Sequence, residues 1–368
     1  MKKILILANN VGGLYNFRFE FIIKLIKEDF EIFFAVPQSK NHPRVQLIKE
    51  TGAKHIHTPF NRRGINPFED LKLIKKYKEI VKGVNPDVIL TYTIKPNIYG
   101  AYVAKKYKKP LIMNVTGVGS SLATGKLKVL VKQMYKYACT HAKIVFFQNQ
   151  SNLDFFIYNQ MISRKKTRLI PGSGVNLEKF KPMPKEKDDN LLKFLFIGRV
   201  MKDKGIEEYI KVAKRLRLKH SGIEFQVLGA FEEDKYKRNI TESKEIKYLG
   251  ISSDVRQQIR EADCIVHPSY HEGMSNVLLE GAAMGKPLIA SKIPGCMEII
   301  EDGSNGYLFK VKSVESLEEK LVQFIELDEK TRAEMGKRSR EKVEKEFDRK
   351  IVVNEYIDAI NSVLKGSM

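Results

Sequence analysis

Short uninterrupted apolar runs alternate with longer stretches of helical periodicity along this chain, and the alternation occurs twice. In the first half, runs of Ile, Leu, Val and Phe predict strands at 3–8, 31–36, 55–58, 88–91, 111–114 and 144–148. Apolar residues at helical spacing predict helices between them, for example at 15–28, 66–83 and 97–106. Strands that are apolar throughout, rather than alternating, belong to parallel sheets covered by helices on both faces. A stretch at 181–190, with two prolines and a run of charges, reads as an interdomain linker. The pattern then restarts, with strands expected at 194–197, 224–228, 246–249, 264–267, 287–290 and 307–309. Two open α/β sheets follow from this, and ligands of such sheets bind beyond the carboxyl ends of the strands. The expected place is a cleft between the two halves.

Composition narrows the picture. With 368 residues, 43% hydrophobic and 30% charged, the chain has material for two cores and is not a disordered or collagenous protein. Cys139, Cys264 and Cys296 are far apart and lack CxxC spacing, so reduced core thiols are expected, with neither a disulfide framework nor a zinc site. No apolar run approaches the length of a membrane span. Met1-Lys2-Lys3 leads directly into a strand that Asn-Asn and Gly-Gly follow, which is not the pattern of a signal peptide.

Charge adds more. The net charge of +21 is carried almost wholly by residues 1–190, which hold 34 Lys and Arg against 14 Asp and Glu. Between Asp87 and Asp154 there is no carboxylate, while ten lysines occur. Such a face suits phospholipid headgroups, a lipid pyrophosphate or nucleic acid. A generally lysine-rich solvated surface explains many lysines but not the one-sided loss of acids. In 122–140, Leu127, Leu130, Val131, Met134 and Ala138 follow a helical apolar stripe, and Lys128, Lys132 and Lys136 recur every four residues on another face. That arrangement fits a helix lying on an anionic membrane surface, and equally a docked helix with a solvated lysine face. Nucleic-acid binding has no interleaved basic–aromatic patch or known module to support it.

Three segments carry candidate chemistry. Gly12 and Gly13 follow the first strand, where glycine amides can approach a phosphate and where a tight turn also needs glycine. In GRVMKDKG at 198–205, Gly198 ends a strand and Arg199 and Lys204 emerge beyond it, placed to neutralise a diphosphate or to form a solvated charge cluster. In HEGMSNVLLE at 271–280, a helix should begin near Ser275 or Asn276, leaving the amides from Met274 to Val277 free for an anion. Glu272 precedes this helix and Glu280 sits within it. Eight residues of about 1.5 Å rise separate them by up to about 12 Å, wide for a glycosidase pair at about 5–9.5 Å. The spacing suits two contacts on one long ligand, one on a sugar and one on a ribose.

HEGMSNVLLE, GRVMKDKG and PGSGVNLEKF at 171–180 together resemble the retaining GT-B glycosyltransferases of family 4, in the right order over essentially the whole chain. YNFR at 15–18, KPNIYG at 95–100 and NVTGVG at 114–119 resemble the branch that builds capsule, O-antigen and lipid-linked oligosaccharides. The resemblance implies two Rossmann-like doubly wound domains: 1–180 facing the acceptor and membrane, and 181–349 binding the nucleotide-sugar. A helix at about 350–365 is expected to pack back onto the first. It implies a hexose or N-acetylhexosamine moved from a nucleotide-sugar, UDP-linked, to a polyprenyl-pyrophosphate-linked saccharide, by an enzyme peripheral on the cytoplasmic face of the membrane. No metal or other cofactor and no nucleic acid are expected, since the sequence has no DxD motif and fixed cations take the metal's part.

Residue by residue, Arg199 and Lys204 would hold the diphosphate, with amides near Gly12-Gly13 and at Asn276-Val277. Glu272 and the backbone of Gly273, Met274 and Ser275 would contact the sugar, Glu280 the ribose, and Ile251 and Asp254 the base. Arg18, Lys95, Asn97 and Thr116 are candidates for the acceptor. Many relatives carry a histidine after the fourth strand of the first domain. This chain has Thr116 in that neighbourhood, and His271 is a possible substitute beside a solvated or structural role. A GT-B nucleotide-sugar epimerase or hydrolase would use a similar cleft.

Overall fold

A computed structural model describes residues 1–61, 66–117, 127–186 and 190–366, with backbone only at Leu127 and Lys128. It divides into two compact units, residues 1–173 with 350–368 and residues 174–349.

In the first unit, β1 (Lys3–Leu7), α1 (Val11–Lys27), β2 (Glu31–Val36), α2 (Pro43–Glu50), β3 (Lys54–His57), α3 (Pro67–Val84), β4 (Val88–Tyr92), α4 (Ile94–Lys106), β5 (Leu111–Val115), α5 (Leu127–His141), β6 (Ile144–Phe147), α6 (Gln150–Tyr158) and β7 (Thr167–Leu169) alternate along the chain. The described strands form one sheet in the order β3-β2-β1-β4-β5-β6-β7, with every pairing parallel. Runs such as KILIL and VILTY are buried almost throughout because helices cover both faces.

The second unit continues with β8 (Leu192–Ile197), α7 (Ile206–Lys219), β9 (Ile223–Leu228), α8 (Lys237–Thr241), β10 (Ile246–Tyr248), α9 (Arg256–Glu261), β11 (Cys264–His267), α10 (Asn276–Ala283), β12 (Leu288–Ser291), β13 (Gly306–Phe309), α11 (Val314–Ile325) and α12 (Glu329–Glu346). Its described strands are again all parallel, in the order β10-β9-β8-β11-β12-β13. Both sheets are doubly wound and Rossmann-like, and the order reverses at β1/β4 in one and at β8/β11 in the other. Cys139, Cys264 and Cys296 are buried free thiols.

The units divide at Ser173/Gly174, seven residues before the expected boundary at 180/181. Val175 pairs with Asp348 and joins Phe180 in the second unit's core, so the chain has already entered that unit before the charged stretch begins. That stretch lies on its own unit: Lys185 meets Asp263 at 2.5 Å and Glu186 meets Arg260 at 2.7 Å. The last helix, α13 (Arg349–Lys365), returns to the first unit, where Val352, Val353, Tyr356, Ile360 and Val363 pack with α1 and the sheet. Tyr356 lies 5.0 Å from Phe21 and 4.4 Å from Phe146, ring centre to ring centre.

Helix α5 is an amphipathic helix whose apolar stripe faces the core. Val131, Met134, Tyr135 and Ala138 pack into the core of the unit, as in a docked helix. Leu130, counted in the same stripe, is 55% exposed. Between β4 and α4, Thr93 has φ 74°, a conformation that strains a β-branched residue, at the carboxyl end of a central strand.

Candidate functional site

The sequence pattern that ends β8 and β11 places two loops side by side, because these strands are neighbours at the switch point of the second sheet. GRVMKDKG follows β8, and the segment from Pro268 to Ser275 follows β11. They touch at Gly205, whose φ of 71° suits glycine and where a Cβ would overlap the carbonyl of Pro268. Tyr270 N–H donates to Asp203 O at 2.9 Å, and the Tyr270 hydroxyl donates to the buried carboxylate of Glu208 on α7 at 2.8 Å. The second loop is thereby pinned to the first.

Lys204 is the result of that pinning. Its Nζ sits 2.5 Å from Glu272 Oε1 and 3.5 Å from Ser269 Oγ. His267, the last residue of β11, donates from Nε2 to the same Glu272 oxygen at 2.9 Å. Burial pushes the Glu272 carboxyl up, but His267 and Lys204 outweigh it and hold the group at about 2. Glu272 is therefore an ionised hydrogen-bond acceptor at neutral pH and has no proton to give. Gly295, φ 86°, supports the loop from below: a Cβ there would press on Gly273 O at 2.9 Å and on Glu272 Cβ at 3.0 Å. Arg199 is exposed and faces Glu232 at 3.5 Å. Gly198 is the turn residue before it.

Helix α10 starts at Asn276 with Ser275 as its N-cap, the serine oxygen accepting from Leu278 N–H at 3.3 Å. Not all the expected amides are free, for Ser275 N–H donates to Gly295 O at 3.0 Å. The amides of Asn276 and Val277 open the helix and have no partner among the described residues. Met274 is buried in the core beneath them. The Glu280 carboxyl makes no hydrogen bond or ion pair among the described residues. Burial pushes its carboxyl up to about 7, an effect Arg349 and Lys179 reduce and Asp254 adds to. Asp254 is paired with Arg256, and Ile251 stands largely exposed beside it in sequence. The site thus holds two carboxylates of opposite character, one ionised by its partners and one held near neutrality by its surroundings.

His267 was missed in the sequence because it hides in an apolar strand pattern. His271, which drew attention instead, is exposed.

The first-unit candidates are placed differently. Gly12 and Gly13 lie inside the first turn of α1, not in a loop before it, and Gly12 N–H already donates to Asn10 Oδ1 at 2.5 Å. Gly13 has open space where a Cβ would stand. Arg18 is only 4% exposed, its guanidinium 5.0 Å from the Tyr92 ring centre and 5.4 Å from that of Tyr356. Asn97 is fully buried and donates to Asn114 O at 2.9 Å. Both side chains are enclosed within the unit, and Arg18 Nε and Asn97 Oδ1 have no partner among the described residues. Lys95 is paired with Asp70 at 2.7 Å, and Thr116, beyond the end of β5, is partly exposed. Lys132 donates to Asn159 Oδ1 at 2.6 Å and Lys136 is exposed. The side chain of Lys128 lies outside the described residues. Among the described residues, no three His, Cys, Asp or Glu gather to hold a metal, and no helix is long and apolar enough to cross a membrane.

Two doubly wound parallel sheets of this kind make up the GT-B fold. Residues 178–342 match the glycosyl transferases group 1 family, and residues 3–149 match the glycosyl transferase 4-like family. The chain therefore carries one glycosyltransferase domain of each kind, in a GT-B fold. It is 28% identical, over 99% of its length and 100% of the relative's, to the N,N'-diacetylbacillosaminyl-diphospho-undecaprenol alpha-1,3-N-acetylgalactosaminyltransferase of Campylobacter jejuni. It is 25% identical, over 78% of each chain, to the Escherichia coli UDP-Gal:alpha-D-GlcNAc-diphosphoundecaprenol alpha-1,3-galactosyltransferase. Among solved structures, Anabaena HepE in complex with UDP and glucose shares the fold, with a TM-score of 0.78 at 19% identity, covering 98% of this chain and 100% of HepE.

Proposed function

We propose that this glycosyltransferase moves a hexose or N-acetylhexosamine from a UDP-sugar to a polyprenyl-diphosphate-linked saccharide, with retention of the anomeric configuration, in the assembly of a cell-surface polysaccharide. The observation that carries the reading is the cluster at the β8/β11 switch point: Lys204 on Glu272, Arg199 nearby in sequence, and the open amides of α10. Undecaprenyl-diphosphate-linked saccharides appear in the names of the Campylobacter and Escherichia relatives, which supports the acceptor class. The ten lysines between Asp87 and Asp154, with no carboxylate among them, support a first unit that meets an anionic lipid at the inner face of the cytoplasmic membrane.

The chemistry follows from the charges. Arg199, Lys204 and the α10 amides stabilise the departing diphosphate, work that fixed cations and a helix N-terminus perform without a metal. Glu272, ionised, accepts from a hydroxyl of the transferred sugar and orients it. Glu280 accepts from the ribose once it has lost its proton. The C1–O bond to the phosphate breaks, the acceptor oxygen bonds to C1 on the same face, and its proton passes to the leaving phosphate oxygen. Catalysis is then positioning and leaving-group stabilisation.

The test is incubation with UDP-N-acetylgalactosamine or UDP-galactose and an undecaprenyl-diphosphate-linked acceptor, with products read by mass spectrometry and the anomer by NMR. Transfer with an α-linkage is expected. Consumption of the UDP-sugar without acceptor, by epimerisation or hydrolysis, would replace this reading with the epimerase or hydrolase one. An inverted anomer would remove retention from it.

A further inference from the structure

Glu272 Oε1 accepts twice, from Lys204 Nζ at 2.5 Å and from His267 Nε2 at 2.9 Å. Oε2 has no partner among the described residues. Because Glu272 is ionised, the proton in its bond to His267 must sit on Nε2, whatever the charge on the imidazole. The other ring nitrogen, Nδ1, is buried and has no partner. His267 is 4% exposed, so the ring serves nothing else at the surface. It stands at the carboxyl end of a central parallel strand: His267 pairs with Ala290 of β12, and β8 pairs with the same strand at Cys264 and Ile265. A residue so fixed is a suitable anchor for a carboxylate that lies in a loop.

We propose that His267 is a positioning residue for Glu272. Its Nε2–H and the Lys204 ammonium together occupy Oε1, fixing the plane of the carboxylate and leaving Oε2 as the oxygen that accepts from the transferred sugar. Lys204 supplies charge but is a flexible cation that the diphosphate also attracts. His267 is buried and set on a strand, so it keeps the carboxylate in place when Lys204 turns to the phosphate. The inference rests on the proposed role of Glu272 and adds to it the residue that orients it.

The experiment compares His267→Gln, whose amide N–H takes the place of Nε2–H, with His267→Met, which keeps the volume and loses the N–H. Glu272→Ala and the Glu272→Ala/His267→Met pair complete the cycle. Binding of UDP, which has no sugar for Glu272 to hold, should be unchanged in His267→Met and His267→Gln, where Lys204 keeps its carboxylate partner. His267→Met should lower kcat/KM for the UDP-sugar by roughly 10- to 100-fold, and the acid limb of its pH profile should move to higher pH. His267→Gln should restore most of that loss, and the double variant should be no worse than Glu272→Ala alone. Wild-type turnover in His267→Met, equal losses in Met and Gln, or additive losses in the pair would overturn the proposal. If His267→Met fails to melt cooperatively, His267→Asn, too short to reach Oε1, replaces it. Failure of the parent reading looks different: Glu272→Ala would turn over normally, or the wild-type protein would not bind UDP.

Discussion

Lys204 and Glu272 form a close ion pair, with Nζ 2.5 Å from Oε1, although the sequence assigns one to a phosphate and the other to a sugar. The pair is a preassembled piece of the site: the lysine holds the carboxylate ionised, and the carboxylate holds the lysine at the switch point. Both side chains are mostly enclosed, at 20% and 14% exposure, so water screens the contact little.

Replacing Lys204 by Met should therefore act twice. The leaving diphosphate loses a cation, and kcat/KM should fall by roughly 100- to 1000-fold. The Glu272 carboxyl, relieved of the ammonium, should move up from about 2 towards its ordinary range, so the acid limb of the pH profile should rise with it. A Lys204→Met variant with wild-type turnover would show that the diphosphate lies elsewhere.

Glu280 predicts a different pH response. Its carboxyl is pushed up to about 7 by burial, above the unfolded value of 4.5. A raised carboxylate favours the folded state fully below 4.5, and that contribution is lost as pH rises through 7, with a slope of up to about 1.4 kcal/mol per pH unit. On the proposed reading the ionised form is the stronger acceptor for the ribose hydroxyls, so affinity for a UDP-sugar should rise by up to roughly tenfold between pH 6 and pH 8. Titration calorimetry at several pH values checks this. Glu280→Gln should show a flat profile, and a pH-independent wild type would remove Glu280 from the ribose.

Gly205→Ala tests how the two loops are joined. The added methyl would meet the Pro268 carbonyl on a backbone already at φ 71°. A loss of about 2–4 kcal/mol in stability is expected, together with weaker UDP binding, because Lys204 immediately precedes the glycine. Urea unfolding and a UDP titration read the two effects. Unchanged binding would mean that the glycine does not position the lysine.

In the first unit, the Asn114 side-chain amide donates to the Tyr356 hydroxyl, both groups being buried. Tyr356→Phe should leave that amide unpaired and lower stability by about 1–3 kcal/mol. UDP affinity, which the second unit is proposed to supply, should stay at the wild-type level.

Where apolar residues are contiguous, sequence and structure agree closely, as at 31–36 and 264–267, since a strand buried on both faces has no other composition open to it. Strand β7 escaped notice because an edge strand of three residues, Thr-Arg-Leu, needs no apolar run. Helix α12 escaped for the opposite reason: charges lie all round it, and its contact with the core is made by Met335, Gly336, Ser339 and Val343. The glycines and acids of the donor segments were legible because their chemistry is local. The pairing of Lys204 with Glu272 across 68 residues was not, because it depends on β8 and β11 being neighbours. The burial of Arg18 and Asn97 was illegible for the same reason: a polar side chain in sequence carries no mark of the aromatic rings or carbonyl that will enclose it.

Helix α13 gives the order of synthesis a structural meaning. The first unit begins at the start of the chain, yet one face of its core is supplied by Val352, Tyr356 and Ile360. A ribosome therefore finishes the second unit while the first still lacks its covering helix and exposes the apolar face around Phe21 and Phe146. Of the two units, the one begun first is the last to be complete, and apolar surface left open in that interval is open to aggregation.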